Sequence, residues 1–244
     1  PAEGEAIGWS ESNAVIYANS VLGARTPKHP AYLALFIAMP GRAPYTGVYL
    51  AENRVPDCEV HVQLPATYDD AIWPMLGWLA GARSPNGIPV LTGLETATPA
   101  PEDLKALCAA FGTTSAAPML HVRGHTPEGD LPLRASAPRH DITVQDLQSL
   151  WRAFNSADRH VDLVAIGSPH ASLEECRTFA GFLAGQNCHP GTETIITVGR
   201  DILATATQEG LVDRLAQAGV RIIPDLCWCS ITEPIFPPTA SVLM

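Results

Sequence analysis

The sequence predicts an α/β protein with parallel βαβ units, and three observations carry the prediction. Between Val161 and Ile223, short β-branched runs alternate with stretches of helical spacing, the pattern of strands that return through helices to one parallel sheet. Glycine-containing turns at Gly167 and Gly199 follow the first two runs, and Gly219 closes the helix before the third. With 244 residues, 46% hydrophobic and 16% charged, the chain is long enough to bury one large core or two ordinary ones.

The elements follow in order. Ala14 to Leu22 is largely apolar and reads as a helix entered from Ser10 to Asn13, with Ser10 or Ser12 as its cap. Val60 to Leu64 reads as a strand, Asp69 to Ala80 as a helix, and Pro89 to Leu91 as a short strand. Pro101 to Phe111 reads as a helix begun by its proline. Asp130 to His140 is rich in Pro, Ala and Ser without periodicity, as expected of a linker or long surface loop. A boundary is therefore expected there, dividing a first domain, 1–138, from a second, 139–244. The second would open with a helix from Asp141 to Asn155, with Thr143 at its start and Asp146 three residues on. Val161 to Ile166 is the first strand of the alternating region and ends in Gly167-Ser168-Pro169-His170. The next helix has Ser172 as N-cap and Glu175 as its capping-box partner. Thr194 to Val198 is a second strand, Ile202 to Ala218 a single helix, and Val220 to Ile223 a third strand.

The formal charge of -10 argues against a phosphate backbone or an anionic membrane as partner. The only lysines are Lys28 and Lys105, and the thirteen arginines are scattered singly. No apolar run approaches the roughly 18 residues of a membrane span, and no leader opens the chain, so the expected location is cytoplasmic. Six cysteines in this length are too sparse for a disulfide scaffold and are expected to be reduced thiols. The chain opens at Pro1 and stops at Met244 straight after an apolar run, and reads as a piece of a longer protein.

In a parallel sheet, functional groups gather beyond the carboxyl ends of the strands. That rule places Ser168 to Ser172, Arg200, and Asp225 to Cys229 along one rim. Cys227-Trp228-Cys229 suits a soft metal or cluster, although the spacing fits two buried core thiols as well. His170 suits proton transfer or is a surface residue of a strand-to-helix turn. Arg200 suits a substrate carboxylate or is a solvated charge. From Trp9 to Arg25, the polar residues Glu11, Ser12, Asn13, Asn19, Ser20 and Arg25 surround an apolar segment, and either cap a helix or await a ligand. Dinucleotide, Walker, zincin and nucleophile-elbow motifs are absent.

Three segments together resemble the aconitase X family. They are SESNAVIYANSVLGART, Ser10 to Thr26, followed by Gly41 to Pro44; DLKALCAAFGTTSAAPMLH, starting at Asp103, with Thr126 to Glu128; and GSPHASLEE from Gly167 with DLCWCSITEP from Asp225. The resemblance implies aconitase-like α/β/α domains and a hydro-lyase. The Cys-Trp-Cys arrangement and Thr113 to Pro118 look like the branch that dehydrates cis-3-hydroxy-L-proline to pyrroline-2-carboxylate. The alternatives are a mevalonate 5-phosphate dehydratase and a non-catalytic binding protein of the same fold. The implied cofactor is an iron-sulfur cluster, of 2Fe-2S type, with Cys227 as first ligand and Cys229 as second. The family's Cys-x-Pro-Tyr and Thr-Asn-Ser segments are not in this sequence, and Ser168 stands where some relatives have cysteine. Ser12, Asn13, Arg25 and Arg200 are the implied substrate contacts, and Glu11, Ser12 and His170 the candidate catalytic groups, with the base itself unassigned. A small swivelling domain, fused or as a separate subunit, is the implied partner.

Overall fold

The computed structural model describes residues 1–155, 160–226 and 242–243. It falls into two compact units, Pro1–Ser156 and Ala157–Met244.

The first unit is built on a parallel sheet in the order β3-β2-β1-β4, comprising β1 (Cys58–Val62), β2 (Pro89–Thr92), β3 (His121–Val122) and β4 (Arg139–Ile142). One face of β1 presents Cys58, Val60 and Val62, which join Leu91, Val122 and Ile142 in the main core. Burial of this continuous apolar face is the main favourable term. Helices α3 (Ile72–Arg83) and α4 (Pro101–Thr114) contribute Leu76, Leu107 and Phe111 to the same core. They approach closely because α3 carries glycine where they meet: a Cβ on Gly77 would strike the Leu107 carbonyl oxygen, and one on Gly81 the Thr114 hydroxyl.

Helix α1 (Ser12–Ser20) packs on α4, with Ile16 in the core. Its cap is Glu11, not Ser10 or Ser12. The Glu11 carboxylate accepts from Asn13 N at 3.2 Å and Ala14 N at 2.6 Å. A negative group suits the positive end of a helix better than a neutral hydroxyl does. Helix α2 (Ala31–Ala38), a continuous apolar run, was not anticipated from periodicity; it buries none of its residues fully, and Tyr32, Leu35 and Phe36 are exposed.

The expected boundary at 138/139 is corrected. Arg139–Ile142 is a strand, hydrogen-bonded into the first sheet beside β1. The following helix, α5 (Val144–Phe154), packs against α3. Its predicted start is found: Thr143 and Asp146 form a reciprocal capping box. The division lies at 156/157 because β1, before the irregular stretch, draws β4 into its own sheet.

The second unit has a parallel sheet in the order β7-β6-β5-β8, comprising β5 (Leu163–Ala171), β6 (Glu193–Val198), β7 (Val220–Pro224) and β8 (Val242–Leu243). Helix α6 (Leu173–Phe182) begins at the predicted Ser172–Glu175 capping box. The single helix expected from Ile202 to Ala218 is two, α7 (Arg200–Gln208) and α8 (Leu211–Gln217). Gly210, at φ 69°, takes the left-handed conformation that no helix interior tolerates. The break lets Ala206, Leu211 and Leu215 all face Val198 and Val220 in one core.

Candidate functional site

In the first unit, the segments Ser10–Thr26 and Thr113–Pro118 come together. Asn19, fully buried, donates from Nδ2 to the carbonyls of Thr26 (2.7 Å) and Pro118 (2.9 Å), and its Oδ1 accepts from Thr26 N. The Ser20 hydroxyl accepts from Leu120 N at 3.0 Å. These bonds explain two of the polar residues in this apolar stretch: Asn19 and Ser20 are structural pins. Arg54, a residue that periodicity did not single out, is a third. Its guanidinium has no exposed surface and donates to Glu128, Val48 O and Asn19 O.

Ser12, Asn13, Arg25 and Lys28 are left with unspent polar groups. The side chains of Ser12 and Asn13 are half-buried and make no hydrogen bond among the described residues. The Asn13 carboxamide lies over Gly112 of α4, where a Cβ would sit 3.1 Å from its Oδ1. Arg25 donates from Nη1 to Tyr49 O at 3.1 Å, but its Nε is buried without a partner. A buried donor left unpaired is costly, and such an atom is a place to look for a ligand. Lys28 donates to Ser115 O at 3.2 Å. Burial pushes its ammonium below the ordinary lysine value, and the charge of Glu11 opposes that shift. The sequence reading missed Lys28, although a signal existed: it is one of two lysines and stands two residues beyond the Ala-Arg-Thr of the first motif. Glu11 itself is committed to capping α1.

In the second unit, the rim expected beyond the strands is assembled. Gly167 to Ala171 continues β5 with an interrupted register against β6, and the Gly167 carbonyl accepts from the Thr197 hydroxyl at 2.6 Å. His170 Nε2 lies 3.0 Å from Leu226 O. Asp225 accepts from Arg200 N at 2.9 Å and pairs with the Arg200 guanidinium at 2.6 Å. Arg200 is therefore not an unpaired cation awaiting a carboxylate, and a substrate there would compete with Asp225. Cys227 and Cys229 lie outside the described residues.

Three of the four described cysteines are core residues. Cys58, Cys108 and Cys176 are buried in apolar cores, and burial pushes the thiols of Cys58 and Cys108 up, away from the thiolate a metal requires. Among the described residues, no three His, Cys, Asp or Glu side chains come together as metal ligands. No helix of the described residues is long and apolar enough to cross a membrane.

Family models of the first, second and third domains of aconitase X match residues 1–52, 56–152 and 161–244. The chain belongs to the aconitase X family. The match to the second domain takes in β4 and most of α5, in agreement with the corrected boundary. Two curated cis-3-hydroxy-L-proline dehydratases, from Hypocrea jecorina and Pseudomonas aeruginosa, are each 41% identical to this chain, over 100% and 99% of it, which is 42% and 43% of their own length. The large subunit of phosphomevalonate dehydratase from Methanothermobacter thermautotrophicus is 35% identical over 93% of this chain and 56% of its own. The chain thus spans about two-fifths of the curated hydroxyproline dehydratases. The crystal structure of Thermococcus kodakaraensis aconitase X in its holo-form superposes with a TM-score of 0.86 at 33% identity, covering 93% of this chain and 58% of that one. The expected α/β fold with parallel sheets is therefore that of aconitase X.

Proposed function

We propose that this chain is part of a hydro-lyase that dehydrates cis-3-hydroxy-L-proline to pyrroline-2-carboxylate. The observation that carries the reading is the 41% identity, along essentially the whole chain, to two curated dehydratases of that substrate, against 35% for a phosphomevalonate dehydratase large subunit. A chain with two lysines and a net charge of -10 also suits a carboxylate better than a phosphorylated substrate.

The reaction removes a proton next to a carboxylate and expels a hydroxyl two bonds away. In the first unit, Arg25 is proposed to hold the carboxylate, because no described carboxylate pairs with it and its Nε is orphaned. Ser12 and Asn13, with unspent side chains at the start of α1, are proposed as contacts to the substrate's ring nitrogen and hydroxyl. Glu11 keeps its capping role and fixes where that helix begins. In the second unit, His170 remains a candidate proton carrier, and Cys227 and Cys229 are the proposed ligands of an iron-sulfur cluster, of 2Fe-2S type. Such a cluster, when bound, supplies a Lewis acid for the departing hydroxyl. The small swivelling domain, whether fused or separate, is proposed to complete the enzyme.

The test is anaerobic turnover of cis-3-hydroxy-L-proline by the full-length protein, with pyrroline-2-carboxylate and iron measured in one sample. Product in proportion to iron supports the reading. Iron without product, together with turnover of mevalonate 5-phosphate, replaces the substrate; neither iron nor any product points to a non-catalytic relative. Cys227→Ser is expected to remove the visible absorption of the purified protein, and full colour in that variant would strike Cys227 from the ligand set.

A further inference from the structure

We infer that Lys28 is a second cationic contact for the substrate carboxylate, a specificity-determining residue that makes the first unit a receptor for small monocarboxylates. The inference rests on the hydro-lyase reading above and names a residue that reading did not use.

The geometry begins with what Lys28 does not do. An ammonium group has three N–H donors, and Lys28 places one on the Ser115 carbonyl at 3.2 Å. No carboxylate among the described residues forms an ion pair with it. The carboxylate whose charge it feels, Glu11, has its oxygens on Asn13 N and Ala14 N. A half-buried cation with unspent donors and no ion pair of its own gains from a bound carboxylate.

The surroundings fit that ligand. Ser115, which anchors Lys28, is itself held by its hydroxyl on Ser84 O at 2.8 Å, so the ammonium hangs from a fixed carbonyl rather than from a mobile loop. Immediately upstream, Gly112 lies under Asn13, so the start of α1 and the end of α4 meet at the place Lys28 reaches. Arg25 is three residues before Lys28 on the same segment and keeps an unpartnered Nε. A cation without an ion-pair partner at the end of α4, where the Asn13 carboxamide also lies with unspent groups, suits a compact anion that also offers hydrogen-bonding groups, as a hydroxylated cyclic amino acid does.

Calorimetry on the full-length protein with pyrrole-2-carboxylate as ligand and pyrrole-2-carboxamide as its neutral counterpart tests this without relying on turnover. Lys28→Met is expected to weaken carboxylate binding by about ten- to a hundredfold, the loss that accompanies a hydrogen bond to a charged group, and to leave carboxamide binding unchanged. Lys28→Arg restores it. In turnover, Lys28→Met raises KM and leaves kcat within a few-fold, as befits a contact made equally in ground and transition states. An unchanged circular-dichroism unfolding midpoint shows that Lys28→Met still folds; should it not, Lys28→Gln takes its place in the same comparison. Equal carboxylate affinity in wild type and Lys28→Met overturns the inference, as does wild-type protein that binds the carboxamide as well as the carboxylate. Carboxylate binding that depends on Lys28 without turnover of cis-3-hydroxy-L-proline supports the lysine and overturns the substrate reading instead.

Discussion

Removing the carboxylate of Glu128 tests how the first unit is held together. Arg54 has no exposed side-chain surface, while the Glu128 side chain is 23% exposed. The guanidinium donates from Nε to both carboxylate oxygens, at 3.0 and 2.7 Å, and Nη2 lies 2.7 Å from Oε2. Its remaining bonds reach Val48 O and Asn19 O, and its own carbonyl accepts from the buried His121 Nε2 at 2.7 Å. In Glu128→Ala, the charge stays buried with two neutral carbonyls for company. Removing one partner of a buried pair costs about 3–5 kcal/mol, and the partial exposure of Glu128 admits water, which sets the expectation at the lower end, about 3 kcal/mol. For a unit of this size, that corresponds to about 6–12 °C in Tm. Glu128→Gln retains one acceptor oxygen and is expected to lose about half as much. Urea unfolding followed by circular dichroism measures both. A cost below about 1 kcal/mol for Glu128→Ala would show that Arg54 finds another partner and that the pin described above is wrong.

Two further outcomes follow from local geometry. Gly77→Ala drives a methyl group into the Leu107 carbonyl and forces α3 from α4, with an expected loss of about 2–3 kcal/mol in the same urea measurement; a neutral effect would mean the two helices slide freely. The backbone N–H and hydroxyl of Thr143, with Arg83 in support, hold the Asp146 carboxyl below the ordinary aspartate range. A lowered folded-state value means that this stabilisation is complete above the unfolded value of about 3.9 and is lost as pH falls through the folded one. The difference in unfolding midpoint between wild type and Asp146→Asn should therefore be constant from neutral pH to about 5 and shrink progressively below about 4; a gap that does not shrink at all as the pH is lowered further would assign the effect to packing.

Local rules made the second unit largely legible. β-branched runs, a capping box at Ser172 and Glu175, and Gly219 at the end of a helix are nearest-neighbour signals, and strands and helices formed where they stood. The rim of His170, Arg200 and Asp225 followed from one rule about parallel strands. Gly210 was a local signal too, misread because a helical apolar pattern continues on both sides of it.

What sequence alone determined is the kind of elements, the acidic, lysine-poor composition, and the family, since those depend on residue type, spacing and order. Tertiary structure decided the rest. Arg139 and His140 read as the end of a loop and Asp141 and Ile142 as the start of a helix, and only pairing with β1 makes the four a strand and moves the boundary. Asn19, Ser20 and Arg54 are polar groups whose partners lie up to about a hundred residues away, so nothing local distinguishes a pin from a ligand. Lys28 became visible for the converse reason: only after every nearby carboxylate had been given to another partner did its unspent donors stand out.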